Sequence, residues 1–190
     1  MIEELSDGIT LYHGSYIEVK NPDISYCAKY KDFGQGFYLT TDRDQADNFA
    51  LISLRKAVLA GVAKQEQNYG VVSAFKYTAN KSLKSVIYQN TDSEWLRCIV
   101  AHRQKKSYPT LVNDLSLIDI IGGKIANDNT NATINVYMTG GYGKVGTTNA
   151  ENICISLLLP ERLKDQYCFR TPKALGCLTF LWSRRCYAVR

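Results

Sequence analysis

The chain has 190 residues, a length that one hydrophobic core serves, so a single domain over residues 1–190 is expected. Hydrophobic residues make up 45% and charged residues 22%, which excludes disordered and fibrous classes. A formal charge of +5 admits an anionic ligand or a nucleic acid without requiring either.

The N-terminus, MIEELSDGIT, is acidic and polar and lacks the basic-then-apolar order of a secretory signal, so a cytoplasmic location is expected. GITLYHGS has the apolar, β-branched and aromatic content of a strand ended by glycine and serine. GQGFYLTT reads as a second strand. Its glycines, Gly34 and Gly36, are unfavourable inside a strand and suggest that something passes close to the backbone there. DRDQADNFALISLRKAVLAG follows as a helix, with an apolar stripe of Ala46, Phe49, Ala50, Leu54, Ala57 and Val58, a cap at Asp42 or Thr41, and a stop at Gly61.

Further on, GVVSAFKYTA reads as a strand and SEWLRCIVAHRQ as a helix burying Trp95, Ile99 and Val100. LSLIDIIGGKIA reads as a strand, the Asn- and Thr-rich NDNTNATI as loop, and residues 133–143 as strand or helix. NICISLLLP fits either element. DQYCFRT alternates and precedes a strand in LGCLTFLW. These apolar runs fall well short of the roughly 20 residues that span a bilayer, so no membrane partner is expected. The basic stretches AHRQKKS and WSRRCYAVR read as solvated faces, the second of them slightly favouring nucleic acid.

Six cysteines (Cys27, Cys98, Cys154, Cys168, Cys177 and Cys186) are scattered without a C-x-x-C pair, which argues against a zinc site and for reduced thiols in the core. The tally is about six strands and three helices without βαβ alternation. That predicts an α+β fold of mainly antiparallel sheet.

The chain contains two histidines, and His13 stands at the end of the first strand in LYHGS. With GQGFYLTTDRDQADNFA and KDQYCFRT it forms an ordered set that resembles the ADP-ribosyltransferase superfamily. The resemblance is to the branch shared by diphtheria-type toxins and poly(ADP-ribose) polymerases. His13 and Gly14 match the branch's His-Gly, and Gly34, Gly36, Phe37 and Tyr38 match its Gly-x-Gly-aromatic-Tyr. Phe49 stands eleven positions past Tyr38, where the branch has a second tyrosine. Gln166 occupies the position of an acid, or in some bacterial members a glutamine. IIGGKIAND and FYLTTDRDQADNFA also look like an uncharacterised bacterial family within the superfamily.

This resemblance implies two mainly antiparallel sheets with flanking helices around a cleft for NAD, which serves as substrate. It implies cleavage of the bond between nicotinamide and ribose through an oxocarbenium-like transition state, as in glycoside hydrolysis. His13, Tyr38 and Gln166 are the implied catalytic set, and Gly14, Ser15, Gly36, Phe37, Thr40, Phe49 and Asn127 the implied NAD contacts. His13 would bond a ribose hydroxyl of the adenosine half, the Gly14 backbone the nicotinamide amide, and Tyr38 and Phe49 would stack on the nicotinamide ring. Where the polymerases have a serine this chain has Ala46, so one contact is missing.

Gln166 can bond the ribose but cannot deprotonate a nucleophile. Single ADP-ribose transfer to a protein or nucleic-acid acceptor is therefore expected, rather than chain elongation. Asp165 points to the opposite face, Glu94 is a substitute acid on a helix surface, and Asn127 and Asp128 either line the site or form a turn. The missing acid leaves an inactive NAD- or ADP-ribose-binding module as the alternative. The RNA 2′-phosphotransferase branch uses a second histidine where this chain has Tyr38. By analogy with compact bacterial relatives, a toxin with a cognate antitoxin protein is also expected.

Overall fold

The structure is a computed structural model that describes residues 2–124, 128–158 and 163–187. It is α+β, with two mostly antiparallel sheets and flanking helices. The first sheet has the order β1-β3-β7, from β1 (Thr10–Ser15), β3 (Tyr69–Tyr77) and β7 (Leu178–Tyr187). The second has the order β2-β6-β5-β4, from β2 (Phe37–Leu39), β6 (Asp165–Phe169), β5 (Ile120–Lys124) and β4 (Ser85–Ile87). Its β4/β5 pair is parallel. Among the described residues no helix is long and apolar enough to cross a membrane.

The sheets face each other across one apolar cluster. Leu11, Phe75 and Tyr77 come from the first sheet, and Phe37, Leu39, Ile120, Tyr167 and Phe169 from the second. Strand periodicity places the alternate residues on the outer faces. There, α1 (Arg43–Leu59) covers the first sheet through Ala46 and Ala50 against Val72 and Cys186. Asp42 caps α1 by accepting from the Gln45 amide at 3.0 Å, as the sequence predicts. Gly14 and Gly70 let the helix come this close. A β-carbon on Gly14 would run into the Ala46 carbonyl oxygen and lie 2.6 Å from the Ala50 nitrogen.

The outer face of the second sheet is covered by α2 (Ser93–Arg103), α4 (Asp128–Met138) and α5 (Thr148–Leu157). Trp95, Ile99 and Val100 of α2 are buried as expected. The segment NDNTNATI, expected as loop, lies largely in α4. Thr130, Ile134 and Tyr137 are buried at helical spacing, and this packing overrides the weak helix propensity of Asn and Thr. The part of NICISLLLP up to Leu157 is helix in α5, and α3 (Pro109–Ser116) takes the start of the region expected to be strand.

These helices are joined by a buried carboxylate. Glu151 of α5 is fully buried and accepts from Arg97 Nε at 2.7 Å and Nη2 at 2.8 Å, with Tyr108 donating at 3.2 Å. Arg97 is 40% exposed and can turn to water, so removing Glu151 costs the lost hydrogen bonds and the emptied buried site. Glu151→Ala is expected to lower stability by about 2 kcal/mol, read as a shifted urea midpoint.

Candidate functional site

Among the described residues one isolated bridge joins the two sheets, Tyr12 against Thr40, with Tyr12 N–H donating to the Thr40 carbonyl at 2.8 Å and Thr40 N–H returning at 3.0 Å. Continuing that antiparallel register by two residues sets Gly14 opposite Tyr38. Backbone groups alternate along a strand, so the N–H and C=O of Gly14 point to the same edge as those of Tyr12, toward β2. A peptide edge and an aromatic residue thus face each other where the sheets part.

His13 ties the two sides. Its Nδ1 lies 2.8 Å from the Tyr38 carbonyl oxygen. A carbonyl only accepts, so Nδ1 carries the proton and a neutral ring leaves Nε2 as an acceptor. Burial pulls the imidazole pKa below its ordinary value, against the opposing effect of the Tyr38 bond, which keeps the ring neutral at neutral pH. Phe37 supports the ring from the inner core, 4.3 Å between centroids. Phe37 is itself 4% exposed, so its part at the site is to pack against His13.

Tyr38 lies on the opposite face of β2 from Phe37. Its hydroxyl donates to the Gly34 carbonyl at 2.6 Å and accepts from the Phe33 amide at 3.1 Å. Burial raises the phenol pKa well above the ordinary value, so Tyr38 offers a fixed aromatic wall and no titrating group. Phe49 sits on α1 with its β-carbon 3.0 Å from where a β-carbon of Gly14 would stand, and it remains 36% exposed although it belongs to the apolar stripe.

Gln166 follows from the register. Tyr38 pairs with Cys168 in β6, so Gln166, two residues along, shares the Tyr38 face and lies beside Thr40. Its side chain is 7% exposed, and among the described residues its carboxamide has no hydrogen-bond partner. Asp165 turns to the other face and pairs with Lys124 at 2.6 Å. Glu94 is exposed in the first turn of α2. Thr40 is 4% exposed and donates to Gln45 Oε1 at 3.2 Å, while Gln45 Nε2 donates to the Asp165 carbonyl at 3.3 Å. Gln45 therefore links α1, β2 and β6 beside Gln166, a role the sequence shows only as a polar residue on the buried face of a helix. Asn127 lies outside the described residues, and Asp128 begins α4.

The backbone at the two glycines of GQG is closely approached, as the sequence suggests. Gly34 has φ +82°, and a β-carbon there would lie 2.5 Å from the His102 ring; on Gly36 it would lie 2.5 Å from Cys168 Sγ and 2.7 Å from the Phe169 carbonyl. The close neighbours are the protein's own β6 and α2. Ser15 ends β1 beside a surface hollow of about 380 Å³ lined by Tyr16, Tyr69, Val71, Ser183 and Arg185. Another, of about 420 Å³, lies at Pro22, Ile24 and Leu175. Neither is lined by Tyr38, Phe49 or Gln166.

His102 is buried under this loop, with Nδ1 2.8 Å from the Cys98 carbonyl and its pKa lowered to about 4, chiefly by burial. From pH 6.5 down to about 4 the unfolded chain binds a proton that the folded chain refuses, so stability falls as pH falls. Between pH 7.5 and 5 the loss from this residue is about 2 kcal/mol, and His102→Gln is expected to flatten the pH dependence of the urea midpoint accordingly.

Comparison with curated proteins gives no match to this chain. A family model does match, over residues 9–180, and it spans the bridge, the His13–Tyr38 pairing and Gln166. The chain belongs to this family, described as a protein of unknown function (DUF3990).

Proposed function

We propose that the protein is an NAD-dependent mono-ADP-ribosyltransferase. The reading is carried by one observation: His13 and Gly14 lie across the parting of the sheets from Tyr38, with the His13 ring bonded to the Tyr38 carbonyl. The outward peptide edge of Gly14 suits a carboxamide, which needs one donor and one acceptor. Tyr38 and Phe49 suit the two faces of a pyridinium ring, where offset stacking contributes about 0.5 to 1.5 kcal/mol beyond area burial. His13 Nε2 suits a ribose hydroxyl. The Gln166 carboxamide, on the Tyr38 face and without a hydrogen-bond partner among the described residues, suits the second ribose.

In the reaction the C1′–N bond breaks and its electron pair neutralises the nicotinamide nitrogen. The acceptor's nucleophile then attacks C1′ and loses its proton to water, since Gln166 is no base. The protein's contribution is to hold the ribose still and to aim the Gln166 dipole at the developing cation.

A binding module is the second reading, favoured by the same residue. Gln166 is neutral, and the adjacent Asp165 is committed to Lys124. Incubation with NAD labelled in the adenylate half and a bacterial lysate is expected to transfer label to a macromolecule and to release nicotinamide. Tight NAD binding with no nicotinamide release over hours would instead establish the module. A toxin acting this way should slow growth when expressed without its neutralising partner.

A further inference from the structure

Residues 16–36 join β1 to β2 and so connect the His13 wall of the site to the Tyr38 wall. The segment is anchored along its length. Glu18 accepts from Ser183 of β7, Val19 N–H donates to Ser73 Oγ at 3.0 Å, and Asp23 caps a 3₁₀ turn at Ile24–Tyr26. Gln35 Nε2 holds the carbonyls of Ile24 at 3.0 Å and Cys27 at 3.1 Å, and Arg103 grips Asp32 at 2.6 Å. Between these anchors the chain projects Tyr26 at 90% and Tyr30 at 71% exposure, with exposed Lys29 and Lys31 beside them.

Two large aromatic rings held in water by an anchored backbone are an unfavourable use of apolar surface unless a partner covers them. The charges flanking the rings are Lys29 and Lys31 on one side and Asp23, which accepts from the Ser25 amide at 2.8 Å, on the other; Asp32 is bonded by Arg103, and the chain as a whole carries +5. The partner's chemistry is therefore anionic and planar. Successive bases of a single strand present π-faces to tyrosines and phosphates to lysines, whereas a duplex hides its base faces and an acidic peptide has none. We propose that Tyr26, Lys29, Tyr30 and Lys31 bind a single-stranded polynucleotide and present it as the acceptor at the rim of the site. The acceptor role rests on the transferase reading; the binding itself does not.

The test is fluorescence anisotropy with a labelled single-stranded RNA, the DNA of the same sequence, the corresponding duplex, and polyglutamate as competitor. Either single strand should bind in a salt-sensitive manner, with Tyr26→Ala and Tyr30→Ala each weakening it about five- to a hundredfold. Lys29→Ala and Lys31→Ala should each reduce the salt slope by about one. Nicotinamide release without polynucleotide should be unchanged in all four variants, since each side chain is exposed.

Equal binding by the double tyrosine variant, equal binding of the duplex, or full competition by polyglutamate overturns the proposal. The RNA and DNA arms separate the two sources of the strand, and tyrosine-dependent binding of either supports the site. Tyrosine-dependent binding by a protein that never cleaves NAD removes the transferase reading and leaves the polynucleotide site standing.

Discussion

Replacing His13 by alanine is expected to lower nicotinamide release from NAD by about a hundredfold, the scale of loss when a reacting group is no longer held in place. The side chain has two tasks, and two further substitutions separate them. Nδ1 donates to the Tyr38 carbonyl and fixes the spacing between the walls. Nε2 is left as an acceptor, which on the proposed reading takes a ribose hydroxyl. Asparagine can reach the Tyr38 carbonyl with its amide N–H but offers nothing at the Nε2 position; glutamine can place a polar group near Nε2 but not hold Tyr38 in the same way.

If the ribose contact is what matters, His13→Asn should be nearly as inactive as His13→Ala while keeping close to wild-type stability. If the role is only to hold the walls together, Asn should restore most of the activity. Because burial already depresses the His13 pKa, the wild-type rate should stay level from neutral pH down to below the ordinary histidine range. It should fall only when the ring protonates and Nε2 turns from acceptor to donor. A rate that dropped through pH 6.5 would place the working imidazole in water, contrary to this geometry.

Much of this arrangement is legible in the chain because it depends on local rules. The strand at Thr10–Ser15, the capped helix Arg43–Leu59 and the buried face of Ser93–Arg103 follow from alternation, an N-cap aspartate and helical spacing. Helix α4 does not, because Asn and Thr carry weak helix preference and the burial of Ile134 and Tyr137 against distant elements is what decides it. Strand β4 is only three residues long and pairs in parallel with a strand more than thirty positions away, a contact without a local signature.

The site divides the same way. His13, Tyr38 and Gln166 can be named from order along the chain, but that His13 bonds the Tyr38 carbonyl depends on how β1 meets β2. Gly36 is the instructive case. Sequence shows that something must approach its backbone, and only the fold shows that the approaching atoms are Cys168 Sγ and the Phe169 carbonyl. A glycine records close contact without recording with whom.

Gln166→Glu is the substitution expected to raise activity. On the proposed reading the neutral carboxamide aims a dipole at the ribose, whereas a carboxylate in its place, at a residue only 7% exposed, would set a full charge against the developing oxocarbenium ion. An increase in nicotinamide release of about tenfold or more is expected, and Gln166→Ala should move the rate the other way. The pH dependence identifies the cause. Burial raises the pKa of a carboxyl group at this position, and the catalytic form is the ionised one, so the gain should grow as pH rises through that pKa.

Stability should run oppositely. Between the unfolded and the raised folded pKa the folded variant holds a proton that the unfolded chain has lost, so folding weakens as pH rises. Activity climbing while the urea midpoint falls over the same pH interval is a pairing that a merely structural effect would not give. A Gln166→Glu variant that binds NAD yet releases no nicotinamide at any pH would show that the charge does not face the scissile bond, and the binding module would then be the better account of the fold.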